Sequence, residues 1–402
     1  MIPHLREYYN TNFTEAKYRS FLKRLDAVCG AHIEFRISET PVFIPSELMQ
    51  AMVESGSEIV LQLVNNPEYH AAAGRTIPHD FNVPHELEHP MFIAVDFGIV
   101  QLPDGGFAPR LIELQGFPTL FAFQPVQSML FKETFGLPHE ATCLLNDMDL
   151  EQYYTLFRTA VLGTHDPENV VLMEIDPDRQ KTRCDFILTD RICGTQTVNI
   201  RDVVKEGSKL LYRRDGRLVP IHRIYNRAIA DELSKIDAQL PFSFCDELEV
   251  EWAGHPNWFF RISKFSLPFI HHPTVPKTIF LNELKTLPDD LQNWVMKPLF
   301  SFAGSGVIVG PTREELQAVP DHMKRGYILQ EKVEYGAFVQ TPHGGTKAEV
   351  RVMFIWPEGG SLTPVANLVR MGRGKMMGVD HNKNMAWVGS SSGLYVPLRA
   401  KA

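Results

Sequence analysis

No run of this chain is basic enough to follow a nucleic-acid backbone. The net charge is −8 over 402 residues, which argues against DNA or RNA as the main partner and leaves room only for a local anion such as a nucleotide. No apolar run suits a bilayer: the most apolar segment, PMFIAVDFGIV, is broken by Asp96 and falls well short of the ~20 residues a spanning helix needs. The opening residues, MIPHLREYYNTNF, are polar where an export signal requires an apolar stretch. The five cysteines (Cys29, Cys143, Cys184, Cys193, Cys245) are scattered without metal-finger spacing, as reduced, buried thiols of a cytoplasmic protein are. The histidines from His70 to His89 fit no metal motif and read as a solvated loop. No convincing Ser/His/Asp or Cys/His signature stands out, and GSSSG around Ser390 lacks the G-x-S-x-G elbow. There is no internal repeat. What remains is an ordinary globular composition, 44% hydrophobic and 22% charged, in a chain long enough for two or three packed units.

Periodicity predicts a helix over 14–29 capped by Thr14, a short strand HIEFRI, and a helix or helix pair after Pro45. An irregular connection rich in proline and histidine follows, then a hairpin turning at Asp104-Gly105. Residues 170–230 alternate between strand-like and helix-like patterns, which is α/β material. Later come a capping box, Thr312 with Glu315, and the strand GYILQEKV. TKAEVRVMFIW and LTPVANLVRM read as two antiparallel strands.

Charged residues inside the strand patterns carry the chemistry. Glu113 and Gln115, two apart in LIELQG, share one strand face, and Asp96 in the other arm of the hairpin can lie opposite them. Hard cations such as Mg²⁺ take oxygen ligands of this kind, and a lone Asp96 between FIAV and FGIV needs a partner. Lys264, Lys297, Arg351 and Arg370 are each embedded in an apolar or strand-like run. One such cation is ordinarily a snorkelling edge residue, whereas four in one half of the chain are better explained by a shared anion, with triphosphate the obvious candidate. Around Lys297 the stretch WVMKPLFSFAGSGVIVG has two readings, an ordinary hairpin or a loop whose backbone cradles phosphates. No G-K-[ST] follows its glycines, so it is not a Walker A loop.

Taken together and in order, Asp96-Phe97, Glu113-x-Gln115-Gly116, IYNR at 224–227, Lys264, Lys297, Gly304-Ser305-Gly306 and Gln330 to Val333 resemble the ATP-grasp superfamily. The acidic element precedes the lysines, the order of its circularly permuted, glutathionylspermidine-synthase-like branch. The resemblance spans residue 91 to the C-terminus and implies a mixed α+β and α/β protein, with two α+β lobes clasping ATP and an α/β substrate domain. On this pattern residues 1–90 form a mixed helical region serving as a cap or a homodimer surface. Residues 91–130 with 341–402 form the metal-binding lobe, 131–251 the substrate domain and 252–340 the nucleotide lobe.

Carried over to these positions, Lys264 and Lys297 contact the α- and β-phosphates. Gly304, Ser305 and Gly306 close over the γ-phosphate, and Gln330, Glu331, Lys332 and Val333 line adenine and ribose. Asp96, Glu113 and Gln115 hold magnesium. Glu349 and Arg351 reach ribose and phosphates, and Arg370 steadies the transferring phosphoryl group, so Arg370, Arg351 and Lys297 form the catalytic set. Arg223, Asn226, Arg227 and His255 are candidates for substrate, although Arg223 and Arg227 read equally well as surface charges. Two departures stand out: Ala94 occupies the place of an expected arginine, and Gln115 that of an asparagine.

The activity implied is ATP- and Mg-dependent ligation of a small-molecule carboxylate to an amine or thiol, releasing ADP and phosphate. A small-molecule phosphotransferase and, because of Ala94, a non-catalytic ATP-binding scaffold are the alternatives. Neither nucleic acid nor membrane is an expected partner, and the cytoplasm is the expected compartment.

Overall fold

A computed structural model describes residues 1–235, 239–300, 306–374, 377–378, 382 and 384–398. Its central feature is a six-stranded antiparallel sheet. The strand Phe92–Gln101 lies between Phe107–Gln115 on one side and Gly344–Ile355 on the other, and Thr363–Gly372 continues the sheet beyond. The hairpin at Asp104-Gly105 is thus formed as the turn residues predict.

Alternation along Gly344–Ile355 assigns its two faces. Val350, Val352 and Phe354 enter a core shared with Met49, Met52 and Ile59 of the helix Ser46–Val64. Gly56 brings that helix close, since a Cβ there would stand 3.0 Å from the Phe354 ring. On the opposite face, Met353 and Ile355 join a core built on the helices Glu15–Cys29 and Phe123–Phe135. The same face carries Glu349 and Arg351 further along the strand, so one surface of the sheet is apolar at one end and charged at the other.

Two further sheets border the charged end. A parallel sheet runs Glu251–Ala253, Arg223–Asn226, Val170–Glu174, Gln196–Asn199. A four-stranded antiparallel sheet runs Thr278–Phe280, Tyr327–Glu331, Trp294–Pro298, Ile308–Val309. The Lys297 stretch therefore is a hairpin, with Val295 opposite Val309.

Local signals behaved as their chemistry predicts. Thr14 accepts from the Lys17 amide at the head of Glu15–Cys29, and Thr312 and Glu315 form a reciprocal capping box. HIEFRI is not a strand. Its backbone groups pair elsewhere: the Ser390 amide donates to Arg36, and the Tyr18 hydroxyl to Ile37, leaving a single bridge from Ile37 to Ser390. The connection expected to be irregular contains the helix Pro67–Gly74, which Asn66 caps by accepting from the Tyr69 amide.

Asp185, in the helix Arg183–Cys193, accepts the backbone amides of Leu120, Ala122 and Phe123 at 2.9–3.0 Å, at the head of Phe123–Phe135. It is fully buried. Asp185→Ala strands three donors, two of them buried, and we expect a loss of about 3 kcal/mol of stability, read as a lowered denaturation midpoint at unchanged slope.

Candidate active site

Cross-strand register builds the charged end. Arg351 lies opposite Asp96, Asp96 opposite Glu113, and Glu349 opposite Arg370, so all five side chains stand on one face. The register between Asp96–Phe97 and Glu113–Leu111 skips Ile112, a bulge. An extra residue leaves the ladder, and the Ile112 carbonyl accepts from Lys297 Nζ at 3.3 Å.

Asp96 is fully buried. Arg351 grips it bidentately, Nε to Oδ1 at 2.7 Å and Nη2 to Oδ2 at 2.8 Å, and Arg370 Nη2 donates to Oδ2 as well. Burial pushes its pKa up, but the two guanidiniums outweigh burial and hold it below the usual carboxylate range. Arg370 also pairs with Glu349, whose second oxygen accepts from the Tyr335 hydroxyl at 2.7 Å. Burial raises the pKa of Glu349 despite Arg370. The Tyr335 ring fills a notch at Gly98, where a Cβ would stand 2.7 Å from it. Glu113 is held by Lys264 at 3.5 Å and by the Gln115 amide at 3.2 Å. Burial acts to raise its pKa, and Lys264 brings the net shift below normal. Lys297 donates to Gln330 Oε1 at 2.6 Å, and burial lowers its pKa to about 8. Among the described residues, four cations meet three carboxylates in this cluster.

The cluster opens onto a cleft of about 760 Å³, a size typical of small-molecule sites. Glu113, Gln115, Lys264, Lys297, Gln330, Glu331, Lys332, Val333, Glu349, Arg351 and Arg370 all line it. Apolar lining comes from Val295, Val307 and Val309. Apart from Gly304, Ser305 and Gly306, the residues expected to bind the cofactor thus line one cleft from segments far apart in the chain.

Several choices differ. Asp96 does not line the cleft, and its oxygens are taken by guanidiniums, so it anchors two arginines where a magnesium ligand was expected. Among the described residues no group of three or more His, Cys, Asp or Glu is placed to hold a metal. The donors that do face the cleft, Glu113 and Gln115, suit an ion that takes its remaining ligands from phosphates and water. Arg223 lies away from the cleft; it bonds the carbonyls of Val161 and Ala160 and pairs with Glu251 and Glu358, a structural role. Asn226 and His255 border a separate void of about 10 Å³. Arg227 does line the cleft, buried, with Nε and Nη1 unpartnered among the described residues. Gly304 and Ser305 lie outside the described residues, and Gly306 adopts a positive φ of 72°. The amides of Glu331 and Lys332 donate to the Lys277 and Asn293 carbonyls.

Glu174, Gln180, Thr182, Glu232 and Tyr335 also line the cleft and were missed. Glu174 had a signal, since it ends the parallel strand Val170–Glu174, and ligands bind at carboxyl ends of such strands. Burial pushes its pKa up to about 8 although Arg227 opposes the shift.

Neither a family model nor a curated protein matches this sequence. A solved structure does: a glutathione synthetase-like effector from Globodera pallida, in its apo form, superposes with a TM-score of 0.63 over 95% of this chain and 96% of that one, at 11% identity. The chain has a glutathione synthetase-like fold. Within that fold no helix among the described residues is long and apolar enough to cross a membrane.

Two outcomes follow from the geometry. Asp96→Asn removes the charge that pairs both buried arginines, and we expect a loss on the order of 3–5 kcal/mol, measured by chemical denaturation. Lys297 is an ammonium below about pH 8 and neutral above it. A calorimetric titration with inorganic triphosphate should show binding weakening as pH rises from 7 to 9, and Lys297→Met should shrink that step to the part that ionisation of Glu174 contributes.

Proposed function

We propose that this cleft binds Mg·ATP and that the protein is an ADP-forming ligase of the ATP-grasp type, its acidic strand pair preceding the nucleotide lobe as in the circularly permuted branch. A substrate carboxylate oxygen attacks the γ-phosphorus, the bond to the β-phosphate oxygen breaks, and ADP leaves. An amine or thiol then attacks the acyl carbon, loses its proton, and phosphate departs. The observation that carries this reading is the convergence of Lys264, Lys297, Arg351 and Arg370 with Glu113 and Gln115 on one cleft.

In this reading the lysines and Arg370 neutralise charge on the phosphates, the largest contribution a protein makes to such transfers. Magnesium, held by Glu113 and Gln115 with the phosphates, supplies further charge neutralisation. Val295, Val307 and Val309 receive the base. Arg227, at the Glu174 end of the cleft, receives an anionic group of the carboxylate substrate, consistent with its unpartnered nitrogens. Small-molecule carboxylates and amines or thiols are thus the proposed partners, the cytoplasm the compartment and a homodimer the assembly.

A second reading, nucleotide binding without turnover, has Ala94 behind it. This residue is fully buried opposite Met353 and Gln115 and adds no cation to the cluster. One screen separates the two: ADP release with Mg·ATP against amino acids, polyamines and short peptides. The ligase reading predicts release that depends on an added nucleophile and falls at least about a hundredfold in Lys297→Ala. ATP binding with no release for any substrate pair favours the second reading.

A further inference from the structure

Arg370 serves two carboxylates through one nitrogen. Its Nη2 donates to Asp96 and to Glu349, but the two acceptors are not equivalent. Asp96 is fully buried, does not line the cleft, and is also gripped bidentately by Arg351. Glu349 lines the cleft beside Arg370, so an anion that enters meets Arg370 on the Glu349 side. Carboxylate and phosphate then compete for one guanidinium, and like charge sets them against each other.

Glu349 has a second partner that does not depend on Arg370. Its other oxygen accepts from the Tyr335 hydroxyl at 2.7 Å. Tyr335 is fixed by contacts of its own: its backbone bridges to Val100, the next amide, of Gly336, donates to the Ile99 carbonyl at 2.9 Å, and its ring fills the notch at Gly98. Burial raises the pKa of the phenol well above its ordinary value, so the hydroxyl keeps its proton to give. Glu349 is 4% exposed, and a buried carboxylate left without any partner is strongly destabilising. Tyr335 prevents that state when Arg370 is drawn away.

We propose that Glu349 is an internal counter-anion: it occupies Arg370 in the empty cleft, a phosphate takes its place there, and Tyr335 retains it when Arg370 lets go. Tyr335 is thus a positioning residue, acting on the anion through Glu349. The inference rests on the reading of the cleft as a polyphosphate site given above.

Calorimetric titration of the full chain with inorganic triphosphate tests it. Glu349→Gln keeps the shape and removes the competing charge, and it should bind triphosphate about tenfold more tightly than wild type, the factor that a hydrogen bond to a charged group supports. Tyr335→Phe leaves Glu349 with no partner once Arg370 departs, so it should bind about tenfold more weakly, and it decides the matter if the glutamine variant does not fold. A merely structural pair would weaken binding in both variants; opposite signs are the signature of competition. Unchanged or weaker binding in folded Glu349→Gln, or unchanged or tighter binding in folded Tyr335→Phe, overturns the proposal. Triphosphate bound by neither wild type nor Glu349→Gln overturns the reading of the whole cleft, and this inference with it.

Discussion

Asp96 between Arg351 and Arg370 is the interaction on which the rest of the site depends. A carboxylate with no exposed surface survives in a sheet only if its charge is matched and its oxygens are bonded, and here two guanidiniums do both. The match runs both ways. Held by Asp96, Arg370 reaches Glu349, and Glu349 fixes Tyr335 over the Gly98 notch. A single buried charge thus sets the positions of Arg351 and Arg370, ties three strands of the central sheet together, and anchors the segment that follows the Gln330 strand.

The second constraint is the mobility of Lys297, which two hydrogen bonds and burial limit. The bulge at Ile112 exposes a carbonyl to it, Gln330 accepts from it, and burial lowers its proton affinity. A lysine so held is a weaker base than one in water. Among the described residues the cations of the cluster outnumber its carboxylates, which makes it attractive to an anion.

The cations were legible because an isolated charge inside an apolar strand pattern demands a partner, and Lys297, Arg351 and Arg370 each found one. The Asp104-Gly105 turn and the Thr312–Glu315 box were legible because their chemistry is local. What resisted reading was register. The partner of Asp96 lies 255 residues away in sequence, and spacing two apart along one strand does not say whether a metal or an arginine fills the opposite place. Arg223 failed for the same reason, since its pairing with Glu251 comes from a neighbouring strand of the parallel sheet. Glu174 and Arg227 meet at one end of the cleft only because two parallel strands end together there. At 11% identity to the Globodera pallida effector the likeness is one of fold, and it assigns no role to the cleft residues.

A crystal structure with a nonhydrolysable ATP analogue and magnesium is the most direct measurement of the central claim. The account predicts the base against Val295 and Val309, phosphates within hydrogen-bonding reach of Lys264, Lys297 and Arg370, and the metal on Glu113. An analogue that is absent from this cleft at saturating concentration, or bound elsewhere on the protein, would contradict it.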